Sequence, residues 1–146
     1  TVHGRFEMIV LHVALVLSRL ELEGADGQPT GRAMLEAFVA DMDDACRRLG
    51  IGDMGVPRHV KKATAAVLER GNAYRAAIAG SSEAPEGDAL AAALAAEVWR
   101  SDPAEAPGAR ALADYVRRAV ASLEEQEGAG LAGGKGSFPS AALEGS

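Results

Sequence analysis

Residues 4–23 read Gly4-Arg5-Phe6-Glu7-Met8-Ile9-Val10-Leu11-His12-Val13-Ala14-Leu15-Val16-Leu17-Ser18-Arg19-Leu20-Glu21-Leu22-Glu23, with Gly24 next. Projected at about 100° per residue, the apolar side chains from Phe6 to Leu20 cover most of a helical circle. A helix apolar on nearly every side needs neighbours all round, so this segment is expected at the centre of the domain. Arg5, His12 and Arg19 recur every seven residues on one narrow polar seam. The apolar run Met8 to Leu17 is broken by His12 and spans only ~15 Å, half a bilayer core. No membrane span is expected.

Working outward, Gly and Pro divide the rest into four further helical segments. The second is expected from Gly31 to Leu49, with Met34, Leu35, Phe38, Met42, Ala45, Cys46 and Leu49 on one stripe. Asp43 with Arg47 and Asp44 with Arg48 stand acid-before-base at i,i+4, which favours an exposed face. The loop Gly50 to Val56 leads to Pro57, well placed to open the third helix because its missing N–H is an orphan there. That helix is expected to reach Ala79 along a seam of Val60, Thr64, Val67, Gly71, Tyr74 and Ile78. A loop from Gly80 to Gly87 precedes a short helix capped by Asp88 and running through Arg100. The last helix is expected from Ala109 to Glu127. It presents Leu112, Tyr115, Val116, Ala119, Val120 and Leu123.

The expected fold is therefore all-α: a compact bundle of about five helices in one domain, residues 1–127. Residues 128–146 are Gly- and Ala-rich without periodicity and form a flexible, partly disordered tail, with Phe138-Pro139 as an anchor point. The final Leu-Glu-Gly-Ser resembles a vector-derived ending. Aromatics make up 4% of the chain and alanine is abundant, which favours helix over strand. No fixed-period repeat indicates a solenoid.

The 146 residues can sustain a core without cross-links, and the single cysteine, Cys46, excludes an internal disulfide. The chain opens on Thr1 with neither a basic n-region nor a small-residue cleavage site, so no signal peptide is legible. The net charge of −6 is uneven: residues 1–79 hold ten basic and ten acidic side chains, residues 80–146 five and eleven. An acidic total argues against general affinity for DNA, which needs a basic surface.

No catalytic or metal signature stands out. His3, His12 and His59 have no Cys, His or carboxylate at ligand spacing on a shared face. His12 fits a hydrogen-bonded histidine on a buried helix, or a proton relay or haem ligand. Cys46 lies on an apolar stripe with no base nearby, as a packed thiol does. Asp41, Asp43 and Asp44 sit inside a helix, two of them with Arg partners, so they read as a solvated face rather than a cation loop. Gly50-Ile51-Gly52-Asp53-Met54-Gly55 lacks the preceding strand and GK[ST] ending of a phosphate loop, and Gly133-Gly134-Lys135-Gly136-Ser137 lacks a following helix. The expectation is no catalytic residue, no metal and no cofactor. One surface is unusual. Arg58, His59, Lys61 and Lys62 gather within a turn and a half, and Arg58, Lys61 and Lys62 share an arc of about 100° opposite the seam of the third helix. They read either as an ordinary solvated face or as a docking site for an acidic or phosphate-bearing partner.

Two strings carry a resemblance: Gly4-Arg5-Phe6-Glu7-Met8-Ile9-Val10-Leu11-His12, and Gly50-Ile51-Gly52-Asp53-Met54-Gly55-Val56-Pro57-Arg58-His59-Val60-Lys61-Lys62. With the intervening Phe38-Val39-Ala40-Asp41-Met42-Asp43, they resemble the ubiquinol–cytochrome c chaperone family. The similarity is strong over residues 1–80 and weaker up to Phe138-Pro139. It implies a non-enzymatic assembly factor of respiratory complex III that binds newly made cytochrome b, near the ribosome's exit site and alongside a second assembly factor. It also implies that Arg58, Lys61 and Lys62 match the family's basic loop-helix motif. The implied location is the bacterial cytoplasm, with peripheral contact at the inner face of the membrane, or the mitochondrion in a eukaryote. Two departures stand out. Family members carry a helical segment before the Gly-Arg-Phe-Glu string, and an aromatic pair where this chain reads Val67-Leu68-Glu69-Arg70. A scaffold subunit retained on the mature complex, and a haem or small-molecule binder using His12, are the alternatives from other classes.

Overall fold

The computed structural model describes residues 1–80, 88–102 and 105–141. Among them are six α-helices and no strand: α1 (Val2–Glu21), α2 (Gln28–Arg48), α3 (Val56–Gly80), α4 (Ala89–Leu94), α5 (Ala109–Glu125) and α6 (Gly128–Ala132). The expected loop at 81–87 and the terminal residues 143–146 lie outside the described residues.

Helix α1 is capped by Thr1, whose hydroxyl accepts from the Gly4 N–H at 3.0 Å. It is the hub expected from its apolar circumference, touching α2, α3, α5 and α6. One side contributes Leu11, Leu15 and Leu20 to a core shared with Tyr74, Leu90, Leu94, Val116 and Leu123. The other side contributes Val10 to a smaller core with Phe38, Ala63 and Val67. Burying side chains of this size stabilises by about 1.5–3 kcal/mol each. One flank of α1 stays open, with Val2 and Ile9 exposed.

The α2 stripe is less buried than its periodicity suggests. Phe38 alone is fully covered, and Leu49 is 69% exposed. The helix lies on the outside of the α1–α3 pair, and its C-terminal end overhangs that support. Its surface pairs form as expected, Arg47–Asp43 at 2.7 Å and Arg48–Asp44 at 3.7 Å.

The helix expected from Asp88 to Arg100 changes character midway. After Leu94 the backbone widens into a π turn, Ala95–Trp99, and ends at Arg100 with φ 55°. The wider turn is held from outside. The Ser101 N–H reaches back to the Ala95 carbonyl at 3.3 Å, and His3 Nε2–H donates to the Glu97 carbonyl at 2.9 Å. Arg100 in turn donates to His3 Nδ1 at 3.1 Å.

Asp88 is the expected N-cap. One carboxylate oxygen accepts from the N–H groups of Leu90 and Ala91, both at 3.1 Å, and Arg117 grips the same carboxylate at 2.6 Å. The Arg117 bonds outweigh the opposing desolvation, and with the cap bonds they hold the Asp88 carboxyl below the usual carboxylate range. A depressed folded pKa gives stability that is complete above the unfolded value and lost as pH falls through the folded one. Asp88→Ala should therefore cost about 0.5–2 kcal/mol near neutral pH, and urea titrations of the two proteins should converge as pH drops below 4. A difference that persists undiminished into that acid range would argue against this role.

Beyond α5 the expected tail begins instead with α6, which buries Leu131 against the main core. From Gly133 to Pro139 the chain has no helix. The Gln126 side-chain amide exchanges two hydrogen bonds of 2.9 Å with the Ser137 backbone, and Phe138 stands edge-on to His12 at 4.8 Å between centroids.

Candidate docking surfaces

The four basic residues singled out from sequence come together as expected from their spacing. Arg58, His59, Lys61 and Lys62 are exposed on the first two turns of α3. Arg58, Lys61 and Lys62 lie on the side of the helix away from the buried Val67, while His59 is exposed at the end of the stripe that buries Ala63 and Ala66. Among the described residues Arg58, Lys61 and Lys62 form no ion pair, although Arg47 beside them is shared between Asp43 and Asp53. His59 Nδ1–H donates to the Gly55 carbonyl at 2.9 Å, which turns the ring back over the loop. The chain turns out of α2 through Gly50, at φ 78°, and at the far side of that loop Met54 projects 96% exposed.

A second surface was not legible from sequence. Helices α1 and α3 cross closely at Ala14 and Gly71, where a β-carbon on Gly71 would lie 3.6 Å from that of Ala14. On one side of the crossing a cavity of about 300 Å³ opens between α1, α3 and α5, lined by Leu15, Tyr74, Ile78, Val120 and Leu123. On the other side a cavity of about 430 Å³ opens towards α2, lined by Leu17, Leu20, Leu35, Val67 and Leu68. Both share Ala14, Ser18, Glu21, Gly71 and Arg75 as a common wall. A further recess of about 510 Å³ continues past Leu35 to Val39. The Arg75–Glu21 ion pair, 2.6 Å long, ties α3 to α1 at this wall. The result is an apolar trough with a polar rim, in which Leu68 is 56% exposed.

Beneath these surfaces lies an ionic cluster that sequence reasoning also missed. Glu7 is 1% exposed and receives two bonds from Arg70, Nε at 3.3 Å and Nη2 at 3.1 Å. The same Nη2 meets Glu97, on the π turn, at 2.9 Å. Burial opposes the Arg70 charge, but Glu7 and Glu97 outweigh it and hold the guanidinium more firmly protonated than usual. Tyr74 lies against this group with a buried hydroxyl that has no hydrogen-bond partner among the described residues. Burial first, and then the fields of Glu7 and Glu97, push its ionisation well above the ordinary range. A carboxylate on the same stripe as the buried Leu11 and Ala14, which follow it by one turn and by two, was the signal available in sequence. A charge in that stripe requires a buried counter-charge.

His12 is occupied. Its Nδ1–H donates to the Met8 carbonyl at 2.7 Å, and Nε2 accepts from the Tyr115 hydroxyl at 2.8 Å, so both ring nitrogens are engaged within the fold. Cys46 is a part-buried free thiol. Among the described residues no three His, Cys, Asp or Glu side chains converge as metal ligands, and no helix is long and apolar enough to cross a membrane.

The ubiquinol-cytochrome C chaperone family matches residues 1–138. The crystal structure of the Cbp3 homolog from Brucella abortus is similar with a TM-score of 0.80 and 34% sequence identity, covering 97% of this chain and 75% of that one. No curated protein matches the chain. The resemblance carried by the Gly4–His12 and Gly50–Lys62 strings thus extends over almost the whole chain. The chain belongs to the ubiquinol–cytochrome c chaperone family.

Proposed function

We propose that this chain is a non-enzymatic chaperone that holds newly made cytochrome b while ubiquinol–cytochrome c reductase is assembled. Family membership supports the chaperone role in that assembly. The observation that carries the finer reading is the trough at the α1–α3 crossing. Its apolar floor and ion-paired rim suit the apolar face of a helix laid into a groove, and the client is a polytopic membrane protein rich in such helices. Arg58, His59, Lys61 and Lys62 are the docking face that brings the chaperone to its place of work, against an acidic or phosphate-bearing surface.

A photo-crosslinking residue at Leu68, whose side chain is already half in water, should capture newly synthesised cytochrome b in the native cell and release it once the complex is complete. Lys61→Glu with Lys62→Glu should lower the level of assembled complex. The fold should be nearly untouched, since exposed substitutions of this kind change stability by under ~0.5 kcal/mol. Crosslinks that persist to subunits of the finished complex would instead establish a retained scaffold subunit. A large fall in melting temperature in the double variant would mean that the lysines support the fold.

A further inference from the structure

The basic face has a composition that narrows its partner, given that it is a docking face at all. Residues 45–68 hold five basic side chains against one acidic, a local balance of +4. The remainder of the chain holds ten against twenty. Arg47 and Arg48 are engaged by Asp43, Asp53 and Asp44, which leaves Arg58, Lys61 and Lys62 as cations facing solvent without a partner among the described residues. Beside them the α2–α3 loop exposes two large apolar side chains, Met54 at 96% and Leu49 at 69%.

We propose that this corner docks on an anionic lipid bilayer, with Arg58, Lys61 and Lys62 at the headgroup level and Met54 and Leu49 entering the interface. Charge complementarity selects an anionic surface. The two apolar side chains then distinguish a bilayer from the other anionic surfaces. An unpaired methionine and leucine gain nothing against phosphate oxygens in water, but they transfer favourably into an interface. Nucleic-acid surfaces that grip exposed bases add aromatic side chains for stacking, and residues 39–73 contain no Phe, Tyr or Trp. None of the three cavities described above is lined by Arg58, Lys61 or Lys62.

Co-sedimentation with phosphatidylcholine vesicles, with and without phosphatidylglycerol, tests this on the full chain. Binding should appear only with the anionic lipid and weaken as salt rises. Each basic residue near an anionic leaflet is worth about fivefold in partitioning, so Lys61→Glu with Lys62→Glu should lower it by more than about thirtyfold. Met54→Ser should lower it several-fold at any salt, an effect that charge alone would not produce. Arg110→Glu, an exposed reversal on α5, should change it little. The proposal is overturned if the wild type ignores anionic vesicles, if the double lysine variant still binds them, or if the wild type binds single-stranded RNA but not vesicles. Client capture is scored separately with detergent-solubilised cytochrome b. A double variant that captures client yet ignores vesicles supports both readings, whereas a wild type that binds vesicles and never captures client overturns only the chaperone reading.

Discussion

Arg70→Ala should lower the free energy of unfolding by about 3–5 kcal/mol, because it strands a carboxylate that water cannot reach. Glu7 is 1% exposed, and Arg70 is the partner that bonds both of its oxygens. The Coulomb attraction within the pair roughly offsets the desolvation of the two ions, so most of the loss measures the abandoned charge and not the net worth of the pair. That distinction has its own readout. Glu7→Leu combined with Arg70→Leu removes both ions together and should recover most of the loss, a strong departure from additivity. Urea unfolding of the two single variants and the double variant settles the matter. A single-variant effect below about 1 kcal/mol, or a double variant as damaged as the sum of the singles, would sink the interpretation.

Leu11→Ala should cost about 2–5 kcal/mol, through the lost transfer energy and the void left behind. Leu11 has no exposed surface and lies on the side of α1 that faces the larger core, where α3, α4 and α5 meet. Ile9, two residues earlier on the same helix, is 46% exposed and serves as the internal comparison. Ile9→Ala should move stability far less, because much of that side chain is already in water. Equal losses at the two positions would show that α1 is buried differently from what its contacts indicate.

The apolar residues of α1 were readable because a helix apolar on most of its circumference has few ways to satisfy itself. The α3 seam was readable for a related reason: Val67, Gly71 and Tyr74 repeat at helical spacing, and all three are buried. The π turn was not. Leu90, Leu94 and Val98 keep a helical period across it, and one of the bonds that hold the wider backbone comes from His3, more than ninety residues away. Glu7 and Arg70 were missed because each looks like a surface charge in its own segment, and they pair only once α1 and α3 are packed. The trough has the same origin. It depends on Gly71 allowing α3 to approach Ala14, a contact that no local pattern records. The exposure of Arg58, Lys61 and Lys62 could be read from one helix, but the reach of Met54 could not, because a loop has no periodicity.

Helix α1 also sets how the molecule comes apart. Its two sides are walls of two different cores, the larger built with α3, α4 and α5 and the smaller with α2 and α3. Neither core can dissolve without uncovering the helix that closes the other. The domain should therefore melt in one transition seen identically by every probe. The amides of Val10, Leu11, Ala14 and Leu15 should exchange with deuterium only through global opening, at the slowest rate in the chain, while the overhanging end of α2 near Leu49 exchanges through local fraying.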